Sequence, residues 1–264
     1  MTSDLPRITV FGLGEAGSVI AADLAKAGSE VHGYDPAPVP TPEGVIRHDA
    51  PGPAVEGSEI VLAITAAADA EEALTQALEE IEQGTIYADL ATAPPALKVV
   101  LSETAARRDL DSVDVALMGT VPGRGLATPS LASGPGAARY AAAINALGGR
   151  VEAIGDTPGD AAARKLLRSI VTKGLTALLI EAMEAAKKRG DTKWLWQHLV
   201  EFISAADESL LDRFIAGTSQ HVDRRIIEME SAQDLLESLD VPSPMTAGTV
   251  ESLQRMKSDG TSIG

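Results

Sequence analysis

The residues with the clearest chemical potential come early. Gly12-Leu13-Gly14-Glu15-Ala16-Gly17 has the form G-x-G-x-x-G, directly behind the β-branched and aromatic run Ile8-Thr9-Val10-Phe11 and ahead of apolar residues at helical spacing from Ser18 to Lys26. In that setting the first glycine makes a tight turn, the second lets backbone approach a pyrophosphate, and the third lets helix pack on strand. Free N–H groups and the positive end of the helix dipole then hold phosphate oxygens. Eighteen residues after Gly17, closing the strand-like run Glu30-Val31-His32-Gly33-Tyr34-Asp35, Asp35 offers a carboxylate to ribose hydroxyls. A dinucleotide held by Gly12, Leu13, Gly14, Glu15, Ala16, Gly17 and Asp35 is expected; the plainer readings are a tight turn and a turn-initiating Asp before proline. A carboxylate here repels a 2′-phosphate, and Pro36-Ala37-Pro38-Val39-Pro40 brings no cation, so NAD is favoured and NADP is the alternative. A nicotinamide delivers hydride, which leaves the protein to supply a substrate pocket and a proton donor or acceptor. Nothing further along the chain suggests a flavin site.

Lys165 is the candidate for that proton. On a helix turning about 100° per residue, Lys165, Ser169, Thr172, Lys173 and Thr176 share one stripe about 100° wide. Leu166, Leu167, Ile170, Val171, Leu175, Leu178 and Leu179 fill most of the remaining circumference, with Arg164 and Arg168 interrupting them. A helix apolar nearly all round is expected to be buried. Its polar stripe must then face partners, water or a cleft, since unpaired buried polar groups are costly. A partly desolvated ammonium has a lowered pKa and can protonate a developing alkoxide or take its proton back, with Lys173 and Arg168 pushing the same way. Lys165 therefore reads as a general acid/base or carbonyl-polarising donor, against a lysine on a solvated or salt-bridged face. Ser169 is placed to bond substrate or its own helix, and Lys173 to hold an anionic group.

Gly119 and Thr120 follow the strand-like Ser112–Leu117, where open α/β sheets bind ligands, and Val121-Pro122-Gly123-Arg124-Gly125 could close over a substrate. Met118 is either core or contact. Thr65 and Thr92, just after the strand-like runs Glu59–Ile64 and Thr85–Leu90, are placed to touch the cofactor or to cap the helices that follow.

These groups need a scaffold. Short apolar runs alternate with Ala-rich helical stretches over the first 155 or so residues, among them an acidic helix from Ala68 to Ile81, and that alternation implies a parallel, doubly wound sheet. From Pro158 the strand signals stop; Asp160–Arg189, Thr192–Leu199, Ser204–Ala216, Gln220–Leu239 and Met245–Lys257 read as helices. The expected class is α/β, a Rossmann domain over 1–157 followed by an all-helical substrate and dimerisation domain over 158–264 with a frayed tail from Ser258. At about 1.5 Å per residue the helix from Asp160 spans about 45 Å, longer than a lone domain needs, so a homodimer through the helical domain is expected.

Composition narrows the partners. With 22 Lys+Arg against 38 Asp+Glu the net charge is −16, which argues against nucleic acid, and two Trp, three Tyr and three Phe are too few rings for a base-stacking groove. The absence of cysteine excludes disulfides, thiolate metal sites and a cysteine nucleophile, and fits a reducing, cytoplasmic setting. No stretch reads as a signal peptide or membrane span. His32, His48, His198 and His221 show no metal-ligand spacing, so no metal is expected. Glu71, Glu72, Glu79, Glu80 and Glu82 read as a solvated helix face. Neither a Gly-x-Ser-x-Gly elbow nor a P-loop lysine occurs, so hydrolase and kinase readings lack their parts.

On Gly12–Gly17, on Asp114-Val115-Ala116-Leu117-Met118-Gly119-Thr120 and on Gly159 leading to Lys165, the chain resembles the β-hydroxyacid dehydrogenase superfamily. That superfamily includes 3-hydroxyisobutyrate dehydrogenase and, more distantly, 6-phosphogluconate dehydrogenase. The second segment stands where the family carries Asp-Ala-Pro-Val-Ser-Gly-Gly, with Met118 at the substrate-contacting serine and Gly119-Thr120 at the glycine pair. The third stands where the family has Gly-x-Gly-x-x-x-Lys-x-x-Asn-Asn, with Arg168 and Ser169 at the asparagines. The C-terminal half, with Thr172-Lys173-Gly174 and His221 through Arg224-Arg225 to Glu228-Met229-Glu230, resembles a subgroup of NAD(P)-dependent oxidoreductases whose C-terminal domain is functionally undefined. The resemblance implies hydride transfer between nicotinamide and a small carbonyl/alcohol substrate, with Lys165 handling the proton, and a homodimer. Loss of the serine and asparagines, which grip a carboxylate, keeps open an imine or keto reductase and a non-catalytic dinucleotide-binding protein.

Overall fold

The computed structural model describes residues 5–78 and 80–259; Glu79 and residues 260–264 of the expected tail lie outside the described residues. The chain divides into two compact units, Met1–Arg168 and Ser169–Gly264.

The first unit holds strands β1 (Ile8–Phe11), β2 (Val31–Tyr34), β3 (Val45–His48), β4 (Ile60–Ala63), β5 (Ile86–Asp89), β6 (Asp111–Leu117), β7 (Ser130–Ser133) and β8 (Val151–Gly155). They form one sheet in the order β3-β2-β1-β4-β5-β6-β7-β8. Adjacent strands are parallel, as the doubly wound reading expects, apart from β6 and β7, which pair antiparallel. Helices α1 (Glu15–Lys26), α2 (Pro51–Val55), α3 (Ala70–Leu78), α4 (Pro95–Ala106) and α5 (Ala137–Ala146) connect them.

Side chains alternate across the central strands. Ile8 and Val10 pack with Ile20, Leu24 and Val113 on one face, while Phe11 packs with Val61, Leu74, Tyr87 and Leu101 on the other. Burial on both faces explains the nearly continuous apolar runs. From β1 the order steps to β2 on one side and to β4 on the other, which opens a crevice beyond the carboxyl ends of these strands.

Helix α6 (Asp160–Arg189) begins in the first unit and runs into the second without a break, so the division falls inside a helix. The second unit continues with α7 (Thr192–Ser204), α8 (Glu208–Gln220), α9 (Val222–Ser238) and α10 (Pro244–Asp259), and no strand occurs among its described residues. Glu181 of α6 caps α10, its carboxylate accepting from Met245 N at 2.8 Å, Thr246 N at 2.9 Å and Thr246 Oγ1 at 2.6 Å. Ala185, Leu236 and Val241 form a small core beside it.

The expectation that α6 is buried nearly all round is not met in the single chain. Ile170 is 71% exposed and Trp194 of α7 is 64% exposed, with Leu167, Val171, Ile180 and Trp196 similarly open. A unit with so small a core cannot cover this apolar surface by itself. No helix among the described residues is long and apolar enough to cross a membrane.

Candidate active site

The glycine turn joins β1 to α1 as its spacing requires. Gly12 has φ +86°, and a Cβ there would lie 2.3 Å from the Ile64 carbonyl oxygen. At Gly17 a Cβ would meet the Gly12 carbonyl oxygen at 1.8 Å, so the helix can approach the strand this closely only as glycine. Gly14 faces open space and is the N-cap of α1 without side-chain capping, which leaves N–H groups of the first turn unspent. Glu15 is exposed, Ala16 is half-buried, and Leu13 turns its side chain into the core.

Asp35, expected to take a ribose, is already engaged within the protein. Its Oδ2 accepts from Leu13 N at 2.7 Å and its Oδ1 from Ala37 N at 2.8 Å, so the carboxylate fixes the glycine turn against the end of β2. The Pro-rich segment itself brings no cation, as read, but Arg47 of β3 donates to the carbonyls of Asp35 at 2.9 Å, Ala37 at 2.7 Å and Val39. Sheet pairing delivers this cation from outside the segment.

Gly12, Gly14, Tyr34, Asp35 and Thr65 line a cleft of about 380 Å³. Thr65 Oγ1 is buried there without a hydrogen-bond partner, and the short turn that follows, Ala67–Asp69, takes no side-chain cap. The capping alternative therefore does not hold for Thr65, nor for Thr92, since Pro94 is the N-cap of α4. An open backbone cradle, unspent N–H groups and an orphaned hydroxyl suit a dinucleotide in this cleft.

Lys165 lies in the first turns of α6, and its Nζ donates to Thr92 Oγ1 at 2.9 Å. With Thr92, Ala91, Asp114 and Ala162 it lines a cavity of about 10 Å³. Burial lowers the Lys165 pKa from its ordinary value, Lys98 lowers it further, Asp114 partly restores it, and Arg168 adds a smaller push down. Arg168 thus acts as expected, but the stronger cation is Lys98 on another element, and Lys173 is not among the causes. Ser169 and Lys173 continue the same helix into the second unit, Ser169 half-buried and Lys173 exposed.

The residues after β6 are not brought to this cavity. Gly119 is half-buried beside Arg124 and Thr128, and Thr120 is exposed. Met118 donates from its N–H to Pro129 O at 2.8 Å and lines a separate open groove with Ser130, Asn145 and Arg150. The loop behind them is tied down rather than free, because Leu126 N donates to Asp23 Oδ2 of α1 at 2.9 Å.

Sequence reasoning missed a buried charge cluster. Lys98 is 3% exposed and donates to Asp89 Oδ2 at 2.7 Å, Asp89 O at 3.1 Å and Ala91 O at 2.8 Å. Asp114 Oδ1 lies 3.3 Å from the same ammonium, an ion pair rather than a directed hydrogen bond. Burial raises the Asp89 pKa against the opposing pull of Lys98. Asp114 Oδ2 accepts from Ala162 N at 2.8 Å and Ser133 Oγ from Ala161 N at 3.0 Å, so the sheet caps α6. The available signal was an aspartate inside each of two apolar strands, since a buried carboxylate demands a partner.

A second missed contact joins His32 Nδ1 to His48 Nε2 at 2.6 Å, with Glu30 at 2.8 Å from His32 Nε2. The described residues contain no group of three or more His, Asp or Glu able to hold a metal.

The family model described as the NAD binding domain of 6-phosphogluconate dehydrogenase matches residues 7–155. A second, described only as a domain of unknown function (DUF1932), matches residues 186–256. A search of curated proteins finds no match. A conserved hypothetical protein from Sinorhizobium meliloti 1021 is 28% identical, with 96% of this chain and 88% of that one covered and a TM-score of 0.64. A conserved protein of unknown function, described as structurally similar to 3-hydroxyacid dehydrogenases, is 26% identical over 96% of this chain and 97% of its own, at TM-score 0.62. An imine reductase from Myxococcus stipitatus in complex with NADP+ shares the fold at TM-score 0.81, with 17% identity over 97% of this chain and 96% of that one.

Proposed function

Because the chain belongs to the family defined by the NAD binding domain of 6-phosphogluconate dehydrogenase, we propose that it is an NAD(P)-dependent oxidoreductase acting on a small carbonyl/alcohol pair, with Lys165 as proton donor and acceptor. The observation that carries this reading is the 2.9 Å hydrogen bond from Lys165 Nζ to Thr92 Oγ1. It sets a partly desolvated amine on the loop beyond β5, at the end of the sheet where doubly wound folds bind ligands.

A nicotinamide cofactor held there would supply or receive the hydride. The Gly12–Gly17 turn and the unspent N–H groups of α1 would hold its pyrophosphate, Asp35 would take the adenosine ribose, and the Thr65 hydroxyl would serve a polar group of the cofactor. In reduction, Lys165 Nζ gives a proton to the substrate oxygen as hydride reaches the carbonyl carbon; in oxidation the amine takes it back. Ser169 and Lys173, one and two turns on along the same helix, are the groups assigned to bond substrate and to hold an anion, and Gly119 and Thr120 take part only if the loop beyond β6 moves.

NAD is the favoured cofactor: the Asp35 carboxylate opposes a 2′-phosphate, and three of the five Arg47 N–H donors are committed to backbone carbonyls. The exposed apolar residues of α6 and α7 support a homodimer through the helical unit. Met118, Arg168 and Ser169 at the family's carboxylate-gripping positions favour a second reading, an imine or keto reductase. Separate NADH and NADPH fluorescence titrations, followed by turnover assays on hydroxyacids, amino alcohols and cyclic imines, test these readings. Reduction of cyclic imines with indifference to hydroxyacids selects the second. Tight cofactor binding without turnover on any of them points to a non-catalytic binding protein.

A further inference from the structure

We propose that Lys98 is a positioning residue, its buried ammonium joining the loop that presents Thr92 to the helix turn that presents Lys165. The inference rests on Lys165 being the proton carrier. An ammonium has three N–H donors. One reaches Ala91 O at 2.8 Å, directly before Thr92, and others reach Asp89 at the end of β5. On its other side stands Asp114, 3.3 Å away, whose second oxygen accepts from Ala162 N at 2.8 Å, three residues before Lys165. One cation thus sits between both halves of the Lys165–Thr92 pair.

A buried ion pair contributes little net stability compared with well-packed apolar residues, so stability alone is a weak reason for a lysine here. The groups acting on the Lys165 amine are Lys98 from α4, Asp114 from β6 and Arg168 from its own helix. Asp114 shares its small cavity. Lys98 therefore holds the amine in place and also opposes its charge.

The test reads Lys165 itself. In the intact full-length chain, the pH dependence of acetic anhydride labelling, followed at the Lys165 peptide by mass spectrometry, gives the titration midpoint of that amine. Asp114→Asn keeps an acceptor for Ala162 N but removes the negative charge. The double change Lys98→Met with Asp89→Asn removes the cation together with its partner, the kind of substitution buried pairs tolerate best.

The proposal expects the midpoint to fall in Asp114→Asn and to rise in the double variant, each by about one pH unit, or tenfold in free amine at fixed pH. General loosening would release Lys165 to water and raise the midpoint in both. Shifts in the same direction, or none, overturn the proposal. Should Asp114→Asn not fold, a rise in the double variant at an unchanged melting temperature supports the proposal, and an unchanged or lower midpoint, or a rise accompanied by a lowered melting temperature, overturns it. Labelling does not depend on turnover, so a Lys165→Met variant with full activity would remove the proton role without erasing these shifts.

Discussion

Lys165 Nζ donates to Thr92 Oγ1 at 2.9 Å, across 73 residues of chain. The pair fastens the first turns of α6 to the loop behind β5 and leaves an amine whose pKa burial and Lys98 hold below the ordinary 10.5. Carbonyl reduction needs the protonated form. Its kcat/KM is therefore expected to be flat at lower pH and to fall tenfold per unit above a midpoint under the usual lysine range, with oxidation showing the opposite limb. Thr92→Ala, which frees the amine from its acceptor, is expected to lower kcat/KM about tenfold. A pH–rate series on both proteins checks this.

Asp35 ties Leu13 N and Ala37 N to one carboxylate, so its replacement loosens the turn and removes the charge that opposes a 2′-phosphate. Asp35→Ser is expected to weaken NADH about tenfold or more. NADPH should weaken less, or tighten. Fluorescence titration of both cofactors gives the ratio, and wild-type protein preferring NADPH would contradict the assignment to NAD.

Glu181 provides a stability test remote from chemistry. Burial pushes its carboxyl up, but hydrogen bonds from Thr246 and Met245 outweigh this and hold it below the ordinary 4.5. A lowered carboxyl stabilises the fold above its unfolded pKa, and that contribution disappears as pH falls through the folded value. Glu181→Gln is expected to cost about 1–3 kcal/mol at neutral pH. Its melting temperature should converge on the wild type in acid, as calorimetry across pH would show.

Ile170 and Trp194 mark the apolar surface assigned to a second copy. Light scattering at micromolar concentration is expected to give the mass of two chains for the wild type. Ile170→Glu should give one, because a buried unpaired carboxylate is costly. A wild-type monomer would remove the dimer.

What the sequence disclosed was what is local. The glycine turn announces itself because its strand, three glycines and helix are contiguous, and Lys165 stands out because a helix displays its periodicity over a few turns. Lys98, Asp89 and Asp114 escaped because they converge only once β5 pairs with β6 and α4 folds back on them. Arg47 was overlooked for a similar reason: β3 pairs with β2 and carries it beneath the Asp35 loop. The antiparallel β7 and the edge strand β8 are short runs of mixed polarity with little periodicity to detect. No break in sequence marks the division of the units, since α6 passes through it.

The central claim is that a dinucleotide on the Gly12–Gly17 turn works with the Lys165 amine. Lys165→Met, assayed beside the wild type for NADH affinity and for turnover on whichever substrate the assays identify, tests it most directly. The expected result is an unchanged Kd for NADH with kcat/KM reduced by about 10²–10⁴. Full turnover in the variant, or a wild-type protein that binds neither NADH nor NADPH, would contradict the account.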